Sequence, residues 1–511
     1  MTTDGRPVVV ETRPGAATPR DYDFPAFERR RLSNGFEVIV VEMPGRPLVS
    51  ASLLIRHGAA DEPAQLGGVS VLAARALAEG TEERDAVAFI EAAERLGASI
   101  HAEAGWDAMS ASVDVPAERL EPALALVAEM VARPTFPSSE VERLRDERLN
   151  DLLQARADPR RRADEAFAST IYTRRSPYHR PSGGDRDTVQ QLDHDRLREI
   201  HARAFDPARM TLVVAGDVGR LDVPRLAAQR FGGWQAAAAA STGGEILAES
   251  AVSRRFVRLI HRPGAVQTEI RIGHPGLPRR IPDFHAVSVM SALLGGLFNS
   301  RLNMKLREEK GYTYGAGAGF DLRRAAGPFV ARAAVNTEAT VPAVADFLAE
   351  IELMQQQPVG DEELRGARDF LVGVFPLRFE TPGPVVGAVS GLVVHALPDD
   401  ELARYRPGIE SVGVEDVLTA ARRHIDLDRA AIVLVGDADA FGRDLETAGF
   451  GPVVIEREEG PVTEGPADGV EDELGPIDRG PTGPTEGAED PDLETGTEPA
   501  EAEGRDGIDA A

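Results

Sequence analysis

The sequence predicts an α+β protein built from two homologous halves. Five residues recur at a constant offset of 220 positions, and internal repeats of this kind fix an architecture. The two copies are Asp206, Arg209, Val213, Gly216 and Asp217, and then Asp426, Arg429, Val433, Gly436 and Asp437. The apolar runs inside them, MTLVVAGD and AAIVLVGD, are typical of short buried strands. Strand and helix patterns do not alternate singly along the chain, which favours α+β over a doubly wound sheet.

Composition divides the chain into five segments. The 511 residues exceed what one hydrophobic core normally covers, which agrees with two domains. A segment of small residues at 235–253 is predicted to link a first domain at 26–234 to a second at 254–455. Residues 1–25 are predicted to be a flexible N-terminus. Residues 456–511 carry 19 acidic and 3 basic side chains and repeated Gly-Pro pairs, which predicts an acidic disordered tail.

Charge and residue usage exclude several classes of function. The formal net charge is −27, and because the part before the tail is also acidic, a nucleic-acid partner is not expected. There is no cysteine, and hence no disulfide, thiolate metal site or cysteine nucleophile. The sequence contains no run of 18 apolar residues, so no membrane span is predicted. The first residues lack the apolar core of a secretory signal. We therefore expect a cytoplasmic protein without a membrane partner.

Three segments in order along the chain resemble the insulinase/pitrilysin family of zinc peptidases. They are LSNGFEVIVVEMPGRPLVSASLLIRHGAADE at 32–62, SPYHRPSGG at 176–184 and FNSRLNMKLREEKGYTYG at 298–315. The similarity extends over about 26–455. It implies an α+β fold of two homologous halves, each of two related α/β units, that form a clam shell around an unfolded peptide.

The zinc motif of that family is missing here. Active members carry His-x-x-Glu-His on a helix, where histidines one turn apart hold the metal and the glutamate activates its water. Registered on the Gly-Thr pair at 80–81, these positions fall on Val71, Ala74 and Arg75. An apolar side chain and a permanent cation bind no metal. The resemblance therefore implies a degenerate member that holds no cofactor and is inactive alone.

Two further positions depart from the family. Its third zinc ligand is a glutamate, and the corresponding position falls near Asp151, which we expect to be a solvated helix residue. His101 stands where the family usually has asparagine before alanine. Whether Asp151 or His101 retains any role in a site is left open.

The resemblance does assign a role to an arginine and a tyrosine seven residues apart, which match Arg307 and Tyr314. Donors over a peptide carbonyl stabilise its oxyanion and hold the substrate backbone. Gly311 is expected to end the helix that carries Arg307 and to return the chain beside it. Spacing alone favours a surface ion-pair residue at Arg307 and a half-buried strand aromatic at Tyr314, and the resemblance reverses this preference.

The family includes heterodimers in which one subunit keeps the zinc motif and the other keeps the Arg–Tyr pair. Our leading hypothesis is a non-catalytic subunit of such a peptidase, with a homologous zinc-bearing subunit and an unfolded peptide as its partners. The first alternative is a structural or binding homologue with no role in proteolysis. A second is a stand-alone enzyme that uses an unrecognised site. The retained Arg–Tyr pair favours the leading hypothesis.

Overall fold

Two six-stranded sheets carry the fold in the computed structural model, which describes residues 20–45, 47–240 and 244–457. The strands are β1 Phe27–Arg31, β2 Glu37–Glu42, β3 Leu48–Ile55, β4 Ser99–Ala104, β5 Met109–Pro116, β6 Met210–Gly216, β7 Phe256–His261, β8 Gln267–Pro275, β9 Ala316–Phe320, β10 Pro328–Asn336, β11 Ala431–Gly436 and β12 Val453–Arg457.

Helices pack on both faces of the sheets. The α-helices are α1 Val69–Ala76, α2 Ala86–Arg95, α3 Leu120–Ala132, α4 Ser138–Ala157, α5 Pro159–Ile171, α6 Arg186–Val189, α7 His194–Ala204, α8 Val223–Phe231, α9 Phe284–Ser291, α10 Thr340–Gln356, α11 Asp361–Val374, α12 Pro382–Val394, α13 Glu401–Ser411, α14 Val414–His424 and α15 Ala438–Thr447. Two π-helical segments, Ala292–Gly296 and Asn303–Glu309, lie between α9 and β9.

The two sheets repeat one topology. Their strand orders are β1-β2-β6-β3-β5-β4 and β12-β7-β11-β8-β10-β9. Five strands correspond in order and sense, with β2 parallel to β6 as β7 is to β11. The outer strands differ, because β1 is antiparallel to β2 whereas β12 is parallel to β7. This confirms the α+β fold of two homologous halves. Within the described residues each half builds one six-stranded sheet.

The repeated apolar runs form the central strands β6 and β11, which are buried along their whole length. In β6, Leu212 and Val214 face the core of the first half, whereas Val213 and Ala215 face a second cluster on the opposite side of the sheet. Because both faces are covered, the strand shows a continuous apolar run rather than alternation.

The second cluster arises from a reciprocal exchange of helices. From the first half, α5 packs on β8 and β11 of the second sheet, where Phe167 contacts the cluster around Val433. From the second half, α12 packs on β3 and β6 of the first sheet, where Val385 and Val389 lie in one hydrophobic cluster with Val213. Each half thus covers the outer face of the other half's sheet, and the two are interlocked.

A buried ionic junction adds to this interlock. Arg324, in the turn after β9, donates to Asp61 at 2.7 Å and to Asp107 at 3.1 Å. Its backbone N–H also donates to Asp107, at 2.9 Å. Because the side chain of Asp61 is only 1% exposed, this arginine neutralises a carboxylate that water cannot reach.

The predicted domain boundaries stay predictions, and the described residues include part of each predicted terminal segment. Of the predicted flexible N-terminus, residues 20–25 are described, and there Tyr22 and Phe24 pack edge-on against Phe375 and Phe379 of the second half. Residues 1–19 lie outside the described residues. At the other end, Glu456 belongs to β12, where it accepts two hydrogen bonds from Arg258, both at 2.9 Å. The rest of the predicted tail, from 458 onward, lies outside the described residues.

Candidate functional site

The helix that corresponds to the zinc helix of the family is α1, and its inner face is core. Val71 is 6% exposed and Ala74 is 1% exposed, and Ala74 packs in the first hydrophobic cluster with Leu72 and Ala73. The third position, Arg75, points to the edge of this core and donates to Glu147 of α4 at 3.2 Å. These residues do not fit a zinc ion, because two lack a donor atom and the third is a cation.

Further ion pairs extend this contact between α1 and α4. Arg143 lies one turn before Glu147 and pairs with it at 2.6 Å and with Glu79, just after α1, at 2.9 Å. The carboxylate that contacts Arg75 is therefore Glu147, one turn before Asp151. Side chains that could have served a metal instead hold two helices together.

Asp151 lies on α4 with its side chain 38% exposed, and it is also ion-paired. Arg161 of α5 donates to its two oxygens at 2.8 and 3.0 Å, and Arg148 contacts the same carboxylate. Burial opposes ionisation of Asp151, but these hydrogen bonds and the two positive charges outweigh it and hold its pKa below the ordinary value. Two guanidinium groups thus occupy the oxygens with which Asp151 could bind a cation.

Among the described residues, one other cluster has the residue types of a metal site. His261, Asp437 and Asp439 meet at the start of α15. The Nδ1 atom of His261 accepts the N–H of Ala438 at 3.1 Å, and Asp437 caps the helix at the N–H of Asp439. Asp439 is paired with Arg457 at 2.6 Å. Each member already has a structural partner, so the cluster acts as a helix cap.

The Arg–Tyr pair lies in the second half, on a segment of unusual local structure. Arg307 lies in the π-helical segment Asn303–Glu309. Helices of this form are rare in proteins, and those that occur are often at functional sites. Gly311 ends this segment with a left-handed φ of +64° and donates its N–H to the carbonyl of Arg307 at 3.1 Å. This confirms the predicted helix end, although the helix is π rather than α.

Tyr314 lies on a loop that the first half lacks. There, α2 ends at the left-handed Gly97, and β4 begins two residues later at Ser99. In the second half, β9 begins at Ala316, five residues after Gly311. The added residues carry Tyr314, which is 92% exposed and makes no hydrogen bond with another described residue. It is not the half-buried strand aromatic of the alternative interpretation.

Arg307 is also available for contact. Its guanidinium carbon lies 4.2 Å from the ring centroid of Phe298, and its nearest carboxylate is that of Glu308, at 3.5 Å. Within the described residues the guanidinium donates no hydrogen bond. No hydrogen bond joins Arg307 to Tyr314, so the two present separate donors on one segment.

Asn303 holds this segment together, and sequence reasoning missed it. The side chain is 5% exposed. Its amide nitrogen donates to the carbonyl of Leu297 at 3.1 Å, and its oxygen accepts the N–H of Ala316 at 2.8 Å. One side chain therefore ties the chain before Arg307 to the chain after Tyr314. An asparagine between the apolar residues Leu302 and Leu306 was the available signal, since a buried amide needs such partners.

The degenerate helix and the Arg–Tyr segment belong to different cores. α1 packs against α4, α7 and β4, whereas the segment Asn303–Glu309 packs against α10 and β9. His101 lies on the edge strand β4, opposite Ser112, with an exposed side chain. Among the described helices none is long and apolar enough to cross a lipid bilayer.

Comparison with known proteins gives two matching family models. The model described as Insulinase (Peptidase family M16) matches residues 37–181, which include α1. The model described as Peptidase M16 inactive domain matches residues 191–371, which include Arg307 and Tyr314. The two models together follow the order of the two halves.

Individual relatives agree with this. An uncharacterised zinc protease of Mycobacterium leprae is 26% identical over 58% of this chain and 66% of its own length. The non-peptidase homolog YmxG of Helicobacter pylori is 20% identical over 76% of this chain and 89% of its own length. The crystal structure of a peptidase M16 inactive domain from Pseudomonas fluorescens superposes with a TM-score of 0.75 and 26% identity, covering 80% of this chain and 98% of that one.

Proposed function

Because the chain belongs to peptidase family M16, the insulinase family, as a member without the His-x-x-Glu-His motif, we propose that it is the non-catalytic subunit of a heterodimeric zinc peptidase. In this proposal it supplies Arg307 and Tyr314 to a homologous subunit that carries the metal. The observation that supports this most is a contrast between the halves. The positions of the metal site are filled by core and ion pairs, whereas Tyr314 remains 92% exposed on an added loop.

The two donors suit a reaction at a peptide carbonyl. As the carbonyl becomes tetrahedral, its oxygen gains negative charge that a phenol O–H and a guanidinium stabilise. The same groups hold the peptide backbone in register while it reacts. The zinc and its water would come from the partner. In this chain, Arg307 and Tyr314 bind and orient the substrate and donate hydrogen bonds to the developing oxyanion.

A second chain fits this arrangement because the two halves of this one are packed against each other. The exchange of α5 and α12 and the ion pairs of Arg324 with Asp61 and Asp107 fix the halves to each other. The side chain of Tyr314 is exposed to solvent. A homologous partner that presents its own zinc half to this surface would complete the shell.

The test is to purify the chain through an affinity tag from the cells that produce it and to identify what co-purifies. We expect a homologue with His-x-x-Glu-His, and a complex that cleaves unfolded casein, used as a probe, until a chelator removes the metal. The chain alone should not cleave casein. A chain that cleaves alone, or that co-purifies with no such homologue, would refute the proposal.

The alternative is a structural or binding homologue with no role in proteolysis. It is favoured by the exposed large side chains Phe298, Met304 and Tyr314 on one segment, since such residues often anchor interfaces. The two hypotheses predict different effects of substitutions at Tyr314. If it only anchors a partner, Tyr314→Ala should weaken assembly, and Tyr314→Phe should change nothing.

A further inference from the structure

The exposed ring of Phe298 has no evident role in folding, because 63% of the residue faces solvent. We propose that Phe298 is a positioning residue that presents the guanidinium of Arg307 to the substrate. This inference rests on the proposed function of Arg307.

The contact between the two side chains is a cation–π stack. The guanidinium carbon of Arg307 lies 4.2 Å from the centroid of the Phe298 ring. At this distance the negative face of the ring attracts the cation. The side chain of Arg307 is 34% exposed, so the stack fixes one of its faces and leaves the rim open to a ligand.

A stack holds an arginine without using its N–H donors, whereas a carboxylate occupies them. The neighbouring Arg301 shows the difference, because it donates twice to Glu363, at 2.7 and 2.9 Å. Arg307 has only the carboxylate of Glu308, at 3.5 Å. The ring thus holds the guanidinium without accepting its hydrogen bonds, and the donors of Arg307 stay available for a peptide carbonyl.

The ring is itself held in place through its backbone. Asn303 donates to the carbonyl of Leu297, just before Phe298, at 3.1 Å, and to the hydroxyl of Ser300, just after it, at 3.4 Å. The turn that carries Phe298 is thereby fixed to the π-helical segment that carries Arg307. Restricting both partners lowers the entropy that the stack must overcome.

The experiment uses the complex with the co-purified zinc-bearing subunit and measures kcat/KM on unfolded casein. Arg307→Ala comes first and should lower activity. Phe298→Leu should then lower kcat/KM about two- to fivefold, the range that a partly exposed cation–π contact supports. Phe298→Trp retains an aromatic face, so its kcat/KM should remain close to that of the wild-type complex. Phe370→Leu, at another exposed phenylalanine on α11, is the matched control and should change nothing.

Ring fluorination separates electrostatics from packing. Phenylalanine with one, two or three ring fluorines at position 298 weakens the negative face and changes the size little. We expect kcat/KM to fall in steps with each fluorine, and to lose this dependence when Arg307 is alanine. A purely structural role for the ring would give no such series.

Two failures can be told apart. If Arg307→Ala keeps full activity, the proposed role of Arg307 fails and this inference fails with it. If Arg307→Ala is impaired but Phe298→Leu and the fluorinated variants remain fully active, the proposed function stands and the positioning role of Phe298 is overturned.

Discussion

Arg75 donates a hydrogen bond to Glu147 at 3.2 Å, joining α1 to α4 where the active members of the family place metal ligands. A cation and its carboxylate partner occupy this position, and Val71 and Ala74 beside it are buried. In the first half, the positions of the metal ligands are therefore filled by buried apolar side chains and an ion pair.

The first prediction is that the chain purified without chelators holds no stoichiometric zinc. Neither Val71 nor Ala74 offers a donor atom, and the oxygens of Asp151 are occupied by Arg148 and Arg161. Elemental analysis of the isolated chain measures this. One tightly held zinc per chain would show that a different ligand set exists, and His261→Ala would then test the cluster at the start of α15.

The second prediction concerns the buried His57, which is 3% exposed and whose ring nitrogens both lack a hydrogen-bond partner among the described residues. Burial lowers the pKa of His57 to about 4; the charge of Asp61 opposes this, and the charges of Arg209 and Arg324 add to it. The folded state therefore favours the neutral ring. This contribution to stability is complete above the ordinary histidine pKa of 6.5 and is lost as the pH falls toward 4.

Urea unfolding at two pH values measures it. Between pH 7 and pH 5 the wild-type chain should lose about 2 kcal/mol more of its unfolding free energy than His57→Leu, which cannot be protonated. Equal losses in the two proteins would mean that His57 does not titrate differently on unfolding.

The third prediction tests the exchange of helices. Val389 of α12 is fully buried against the first sheet, so Val389→Ala should cost about 2 kcal/mol and should speed hydrogen exchange in β6 more than in β11. Phe167→Ala in α5 removes more buried volume and should cost about 3–5 kcal/mol of stability. It should speed hydrogen exchange in β11 more than in β6. Each variant is the control for the other. If hydrogen exchange becomes faster only in the half that carries the mutated residue, the packing of α5 and α12 on the opposite sheets would be contradicted.

The repeat in the sequence was sufficient to predict the α+β class and the two homologous halves. Its signal was strong because β6 and β11 are covered on both faces and must be apolar throughout. The exchange of α5 and α12 could not be predicted. The apolar face of a helix such as α12 indicates that it is buried, but not which sheet it covers.

The candidate site also has a part that the sequence predicts and a part that it does not. The replacement of the zinc motif can be read directly at Val71, Ala74 and Arg75, because the motif has fixed spacing. The roles of Phe298 and Asn303 depend on contacts between a turn, a π-helical segment and a strand. No periodicity predicts a π-helix, and the assignment of Arg307 and Tyr314 as substrate-binding residues remains a prediction.

The most direct test of this account is the turnover rate of the complex when Tyr314 becomes phenylalanine. The change removes one exposed hydroxyl, so folding and pairing should be unaffected. If that hydroxyl donates to the oxyanion, kcat on unfolded casein should fall by about two to three orders of magnitude. Tyr312→Phe, at a tyrosine packed against the core two residues earlier, should be nearly silent. Full activity of Tyr314→Phe in an intact complex would contradict the account and leave this chain a structural subunit.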